Sequence, residues 1–288
     1  MERELWPLLY RAVVQTARDF SQKYVQIPAW VLLLTVLWAA LHDRPVSWAC
    51  RWCHWQTTKL RPGRLPSAAT MSRRIDTVAV GLLWRAVEER LRAAGEPPAL
   101  LAFLDGKPLP VGGCTKDPDA RYGQGAGMKA KGYKLHAVWA RAVLPEAWEV
   151  TPMNRDESQV AQRLVPQLRG GGYLLADGKY DVIALFNLAR RQGYQLLTPP
   201  PKAPPSRRRH SPARLRSIEA MTRSFWGERL YRRRIGIEAA FGNATSFGGG
   251  LGPLPAWVRG LERVRTWVWA KLLINAARVL KNKDLRHD

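Results

Sequence analysis

Acidic residues are scarce in this 288-residue chain: 23 Asp and Glu stand against 46 Lys and Arg, a formal net charge of +23. A pI near 10.8 argues against a metabolic enzyme acting alone and asks for a polyanionic partner. Nucleic acid comes before membrane, because the positive charge is spread along the sequence instead of gathering beside a lipid-facing helix. Cysteine is scarcer still, at three residues, which excludes a disulfide framework. No apolar run is long enough to cross a bilayer: the longest, Ala29 to Leu41, has 13 residues against the roughly 20 required, and reads as a buried helix. The opening MERELW lacks the basic start and cleavage site of a secretory signal, so the expected compartment is the cytoplasm, at the nucleoid. Cys50-Arg-Trp-Cys-His54 has the letters of a haem-attachment motif, but that chemistry needs export, and a zinc site would need two further ligands. Trp48, Trp52 and Trp55 around it suit a helix packing face.

What is present is a sizeable apolar fraction, 46% of residues, enough for a large catalytic domain and a smaller helical one. Up to about Gly95 apolar residues recur at three- and four-residue spacing, interrupted by Pro28, Pro45 and the loop Arg61 to Pro66, which predicts an all-helical N-terminal domain, residues 1–97. Within it a capping serine precedes a short helix bearing Arg73 and Arg74, followed by an amphipathic helix from Asp76 to Ala94. This order suits a helix-turn-helix reader of DNA. From residue 98 to 288 the pattern predicts an α/β domain with strands at Leu100–Asp105, Lys131–Ala140, Ala147–Met153, Tyr173–Asp177 and Tyr194–Thr198, and helices at Glu157–Leu168 and Val182–Gln192. Three strands, a helix, a strand, a helix and a strand make a mixed sheet flanked by helices, the order of ribonuclease-H-like domains. Residues 199–216 are too rich in proline and arginine to pack a core and predict a basic loop.

Two apolar strands end in the same letters, Leu104-Asp105-Gly-Lys107 and Ala176-Asp177-Gly-Lys179. A buried strand has no packing use for a carboxylate, whereas an open sheet does its chemistry at strand ends, and a following glycine lets the backbone turn away. If these two strands are neighbours, the aspartates lie side by side and repel unless cations separate them. Mg2+ or Mn2+ meets that need, and a pair of ions about 4 Å apart can bind both the attacking and the leaving oxygen of a phosphodiester. The best third acid is Glu238, alone among basic and apolar neighbours in the helix Tyr231–Gly242. At about 100° per residue, Tyr231, Arg234, Glu238 and Thr245 share one helix face. Arg234, one turn from Glu238, can orient the carboxylate or grip a DNA phosphate.

The helix spacing Tyr231, Arg234, Glu238, preceded by two strand-end aspartates, resembles the DDE transposases of bacterial insertion sequences. The resemblance covers most of the chain, including the GYKLHAVW strand, Asn154-Arg-Asp-Glu-Ser158 and LLADGKYD. It implies metal-dependent cleavage at transposon ends and strand transfer into target DNA, a ribonuclease-H-like fold, and a homodimer holding two terminal inverted repeats. It makes Asp105, Asp177 and Glu238 the metal-binding triad, with Tyr231 and Arg234 contacting DNA. One position departs: the family continues with a lysine seven residues after the glutamate, and Thr245 stands here, keeping a hydroxyl for phosphate and losing a charge. The alternatives are a ribonuclease-H-like nuclease that cuts without joining, and a decayed DNA-binding descendant.

Lys107 and Lys179, two residues past each aspartate, divide between a phosphate contact and an ordinary surface lysine. Arg207, Arg208 and Arg209 read as a phosphate clamp more than a solvated run. His136 reads as a satisfied strand histidine, Asp156 and Glu157 as helix caps, and Asp181 as the start of the next helix. Trp226 is a possible stacking platform for a base.

Overall fold

The computed structural model describes residues 2–20, 25–95, 99–112, 115–125, 127–140, 143–200, 211–245, 247 and 250–287. The chain divides into two compact units, Pro97–Asn243 and a second made of Met1–Glu96 together with Ala244–Asp288.

The second unit is all helical. Helices α1 (Glu2–Ala17), α2 (Ala29–Leu41), α3 (Val46–Ala49), α4 (Ala68–Arg74) and α5 (Val78–Ala93) come from the first third of the chain, and α11 (Leu261–His287) from its end. The apolar run is the buried helix expected, with every residue of α2 except Trp30 in the core. Ser67 caps α4 by accepting from the Thr70 amide, the predicted start of the short basic helix. The sequence pattern assigns residues 98–288 to the catalytic domain; within that stretch α11 packs with the N-terminal helices. Trp269 stacks on Trp84 at 5.0 Å and donates its indole N–H to Glu88. Lys271, its side chain fully buried, donates to the Ala40 carbonyl and to Asp43, adding a charged donor at the C-terminal end of α2.

The other unit holds one six-stranded sheet: β1 (Leu101–Pro110), β2 (Arg121–Gln124), β3 (Lys129–Trp139), β4 (Ala147–Pro152), β5 (Gly172–Leu175) and β6 (Tyr194–Leu197). The order is β2-β3-β1-β5-β6, with β4 also paired to β3. The β1, β3 and β4 strands are antiparallel neighbours, while β1 to β5 and β5 to β6 are parallel. Helices α6 (Glu157–Leu164) and α7 (Ile183–Arg191) make the crossovers these parallel pairs require. Val160, Ala161, Leu164, Leu185, Phe186 and Ala189 pack them on Leu104, Leu174 and Leu196 in one core. This is the ribonuclease-H-like mixed sheet flanked by helices, with α8 (Pro212–Arg223), α9 (Phe225–Tyr231) and α10 (Ile235–Thr245) completing the chain order.

Three local expectations change. The short strand β2 carries no apolar alternation to announce it; it forms by pairing with the start of β3. The loop expected over 199–216 gives way to helix at Pro212, whose fixed φ suits the first helical position after the Ser211 cap. The helix carrying Tyr231 to Glu238 is not one α-helix, since a 3₁₀ turn at Arg232–Arg234 joins α9 to α10 and rotates the faces on either side of it.

Candidate active site

Strands β1 and β5 pair in parallel through Leu101–Tyr173, Ala102–Leu174 and Phe103–Leu175. Asp105 and Asp177 each lie two residues beyond the last pair, so the register sets them abreast. Asp177 follows the end of β5 and caps a tight turn, its Oδ1 accepting from the Lys179 amide at 2.9 Å. Asp105 is not at a strand end. The β3 ladder carries β1 on to Pro110, so Asp105 lies where β1 outruns its parallel neighbour. Gly106 therefore makes no turn. It is a glycine because a Cβ there would stand 2.9 Å from Cδ of Lys134, whose side chain runs past it.

Lys134 leads to Glu157, which the sequence pattern reads as a helix cap. Asp156 is the N-cap of α6, accepting from the Gln159 amide, but the neighbouring Glu157 turns its carboxylate into the sheet. There it accepts from Lys134 at 2.5 Å and Lys179 at 3.1 Å. Ligand atoms of Asp105, Glu157 and Asp177 all lie within 4.8 Å of one another, the one such group among the described residues. The signal was available: a lysine inside a strand otherwise buried needs a carboxylate partner, and the element Asn154 to Ser158 lies just before the helix that packs there.

Burial pushes the Asp105 carboxyl above its ordinary range, helped by the charges of Asp177 and Glu157 and opposed by the Gly106 amide and Arg234. Burial acts the same way on Glu157, but the hydrogen bonds and charges of Lys134 and Lys179 outweigh it and hold that carboxyl low. Lys179 is correspondingly held up by the acids around it, against its own burial. Tyr180, fully buried beside them, is driven well above the usual phenol range by burial and by Glu157. His136 is buried, its Nε2 paired with Thr151 Oγ1 at 3.0 Å, and burial lowers it to about 4. It is a strand histidine, with Nδ1 facing Gly106.

Glu238 enters from α10. Gly236 lets this helix close on β1, since a Cβ there would meet the Phe103 ring at 3.0 Å. Ile237 and Phe241 are buried, Phe241 edge-on to Trp139 at 6.1 Å, and Glu238 points outward with its side chain 63% exposed. Arg234 joins it to the acids of the sheet: its guanidinium lies 3.7 Å from Asp105 Oδ2 and 3.7 Å from Glu238 Oε1. Tyr231 donates its hydroxyl to the Ala176 carbonyl at 3.2 Å, pinning the 3₁₀ turn to the chain just before Asp177. Thr245 is the last residue of α10, half-buried.

The other expected residues separate. Lys107 lies over the Phe241 ring at 6.0 Å, and burial lowers its pKa. Lys179 is committed to Glu157. Arg73 is exposed on α4, whereas Arg74 donates to the Ile27 carbonyl at 2.6 Å and is half-buried. Arg207, Arg208 and Arg209 lie outside the described residues. Asp181 starts no helix; it takes a two-pronged ion pair from Arg214 of α8. Trp226 is half exposed and leans on Tyr173. Cys50 donates to the Val46 carbonyl as an ordinary helical thiol. Of the flanking tryptophans only Trp55 is fully buried.

The donor set suits a hard divalent cation. Asp105, Glu157 and Asp177 offer only carboxylate oxygens, within 4.8 Å of one another, and the charges of Asp177 and Glu157 add to the burial that raises the Asp105 carboxyl; Glu238 is not in this group and is joined to it through Arg234. A family model described as a transposase DDE domain matches residues 96–274. Comparisons with curated proteins and with solved structures return no match. The extent of the family match, taken with the fold and the paired aspartates, leaves one assignment: the chain belongs to the transposase DDE domain family.

Proposed function

We propose that the chain is a transposase that cuts DNA at transposon ends and joins the freed 3′ end to target DNA, with Asp105, Asp177 and Glu238 as its metal-holding carboxylates. The observation that carries the reading is the parallel β1–β5 pair, which brings Asp105 and Asp177 together while Arg234 links Asp105 to Glu238. Bound Mg2+ or Mn2+, as a pair, supplies the Lewis acid that stabilises charge on the oxygens of a phosphodiester in in-line displacement.

The protein's own groups do the rest. Tyr231 fixes the turn that presents Arg234. Arg234 offers a planar fork of donors beside the acids, fit to hold a scissile phosphate in line. Lys107, with a lowered pKa, supplies a further donor on the strand beyond Asp105. Glu157 is held by Lys134 and Lys179 beside Asp105 and Asp177, where it positions the two lysines next to the metal-holding pair. Arg73, Thr245 and the Arg207–Arg209 segment are assigned to DNA backbone, and two copies of the chain to the two transposon ends, at the nucleoid.

The test is Mg2+-dependent cleavage and strand transfer on a labelled duplex from the DNA flanking the coding sequence, native against Asp177→Ala. Both activities in the native protein and neither in the variant support the reading. Cleavage without joining would assign a nuclease. Binding without metal-dependent chemistry in either protein would assign a decayed DNA-binding descendant.

A further inference from the structure

Outside the acid site, the helical unit carries a groove of about 670 Å³ lined by Trp52, Cys53, Gln56, Lys59, Arg61 and Gly63, among others. Trp6, Trp38, Trp55, Trp84 and Trp267 of the same unit are buried, whereas Trp52, on the groove wall, is 45% exposed, as Trp257 is at 44%. The Arg61 guanidinium lies over its ring at 5.6 Å. Neither Lys59 nor Arg61 has an acidic partner among the described residues, and the stretch from Arg44 to Ile75 contains seven Lys or Arg and no Asp or Glu.

The walls are held from behind by buried tryptophans. Trp38 donates its indole N–H to the His54 carbonyl at 2.9 Å, and Trp55 to that of Ala49 at 2.8 Å, which fixes the turn bearing Trp52. Across the groove Trp6 donates to the Leu60 carbonyl at 2.7 Å and Tyr10 to that of Arg61. An exposed indole, two cations without acidic partners among the described residues and an amide on rigid backbone form a preorganised site, and its charge selects a polyanion with a flat apolar face.

We propose that this groove binds a strand of DNA, with phosphates on Lys59 and Arg61 and an unpaired base against Trp52, with Gln56 within reach of the base edge. The proposal rests on the transposase reading for the identity of the polyanion, and it places a contact to the DNA end on the Trp52–Gly63 segment in addition to α4.

Two features make a direct test possible. Cys53 lines the groove and is exposed. A Cβ at Gly63 meets nothing within 4 Å, and its φ lies outside the region that requires glycine, so Gly63→Glu puts a negative charge in the groove without disturbing the packing. Gly81, equally open on α5, gives the charge-matched control Gly81→Glu. In a Cys50→Ser, Cys114→Ser background, alkylation of Cys53 is timed with and without a duplex bearing a short single-stranded end, and with anionic phosphatidylglycerol vesicles. The expected result is slowing by DNA of about fivefold or more, weakening of binding of about tenfold by Gly63→Glu and by Trp52→Ala, and little change in Gly81→Glu. Loss of the preference for the single-stranded end in Trp52→Ala supports the stacked base. Equal alkylation with and without DNA, equal effects of the two glutamates, or protection by vesicles alone would each overturn the proposal. All binding is repeated in Asp177→Ala. A protected Cys53 in a protein that never cuts DNA leaves the groove standing and removes the transposase reading, whereas cleavage with an unprotected Cys53 does the reverse.

Discussion

Replacing Lys134 by methionine should cost the sheet unit far more than replacing Lys179, although both lysines hold the same carboxylate. The side chains of Lys134 and Glu157 are 4% and 8% exposed, while that of Lys179 is 55% exposed. Breaking a buried pair from one side leaves an uncompensated charge and costs about 3–5 kcal/mol; a solvated partner contributes at most about 1 kcal/mol. With Lys179 still in place, Lys134→Met should lose about 3 kcal/mol, and Lys179→Met less than about 1 kcal/mol. For a unit of this size each kcal/mol moves the melting temperature by about 2–4 °C, so scanning calorimetry should show a drop of about 6–12 °C for the first variant. Amide exchange in β1 and β3 assigns the transition to this unit. The double variant Lys134→Met, Glu157→Leu removes both charges and should recover most of the loss. Because Glu157 is held low, its contribution is present above the unfolded carboxyl pKa and lost as pH falls through the folded one. The gap between native protein and Lys134→Met should therefore close in acid. Equal, small effects of the two lysine substitutions would refute the reasoning, since they would show Glu157 to be solvated.

His136 gives a second acid-linked effect. Its folded pKa of about 4 lies below the ordinary 6.5, so the unfolded chain binds more protons between those values; the native protein should lose about 3 kcal/mol as pH falls across that window, and His136→Asn should lack that slope in urea titrations. Glu238→Gln should abolish DNA cleavage and weaken Mn2+ binding by about tenfold or more with an unchanged melting temperature, because its side chain is 63% exposed; retained cleavage in that variant, with Mn2+ binding lost in Glu157→Gln, would transfer the third ligand to Glu157. Arg74→Ala should lower stability by about 1–2 kcal/mol through the lost bond to Ile27. Arg73→Ala should leave stability unchanged and weaken DNA binding instead, and the opposite pattern would remove α4 from the DNA contacts.

The mixed sheet was legible because apolar runs bounded by glycine and proline state their own limits, and the echo of Asp-Gly-Lys marked two strands whose aspartates the register sets side by side. The sequence pattern also gave the buried α2 helix and the capped α4. Glu157 was hidden for a physical reason. In the first turn of a helix an acid has an ordinary use near the helix dipole, and only the register that carries Lys134 past Gly106 shows its carboxylate facing the sheet. The place of α11 was hidden in another way: Trp269 and Lys271 find Trp84, Glu88 and Asp43 across most of the chain's length, and no local periodicity encodes a partner so distant. The 3₁₀ turn at Arg232–Arg234 escaped because three arginines are good helix formers. The Tyr231 bond to Ala176 lies beside that turn and anchors it to the sheet.

The distribution of cations around the acids bears on which of them take a metal. Glu157 is paired with two ammonium groups, one of them buried and the other also within the field of Asp105 and Asp177, and its carboxyl is held low by them. Asp105 and Glu238 share a single guanidinium at 3.7 Å from each, which is ion-pair distance and longer than a good hydrogen bond. Asp177 spends one oxygen on a backbone amide. Of the four carboxylates, Glu157 has the closest cationic partners, whereas Asp105 has one guanidinium at 3.7 Å and is raised first by burial and then by the charges of Asp177 and Glu157. A divalent cation lowers the energy most where charge is least compensated, which supports the proposed set of Asp105, Asp177 and Glu238, with Glu157 as the alternative third ligand. On the same argument Arg234→Gln should raise the apparent pKa of Asp105 further and make metal binding more sensitive to acid, so Mn2+ titrations of this variant should need a higher pH for half-saturation than the native protein.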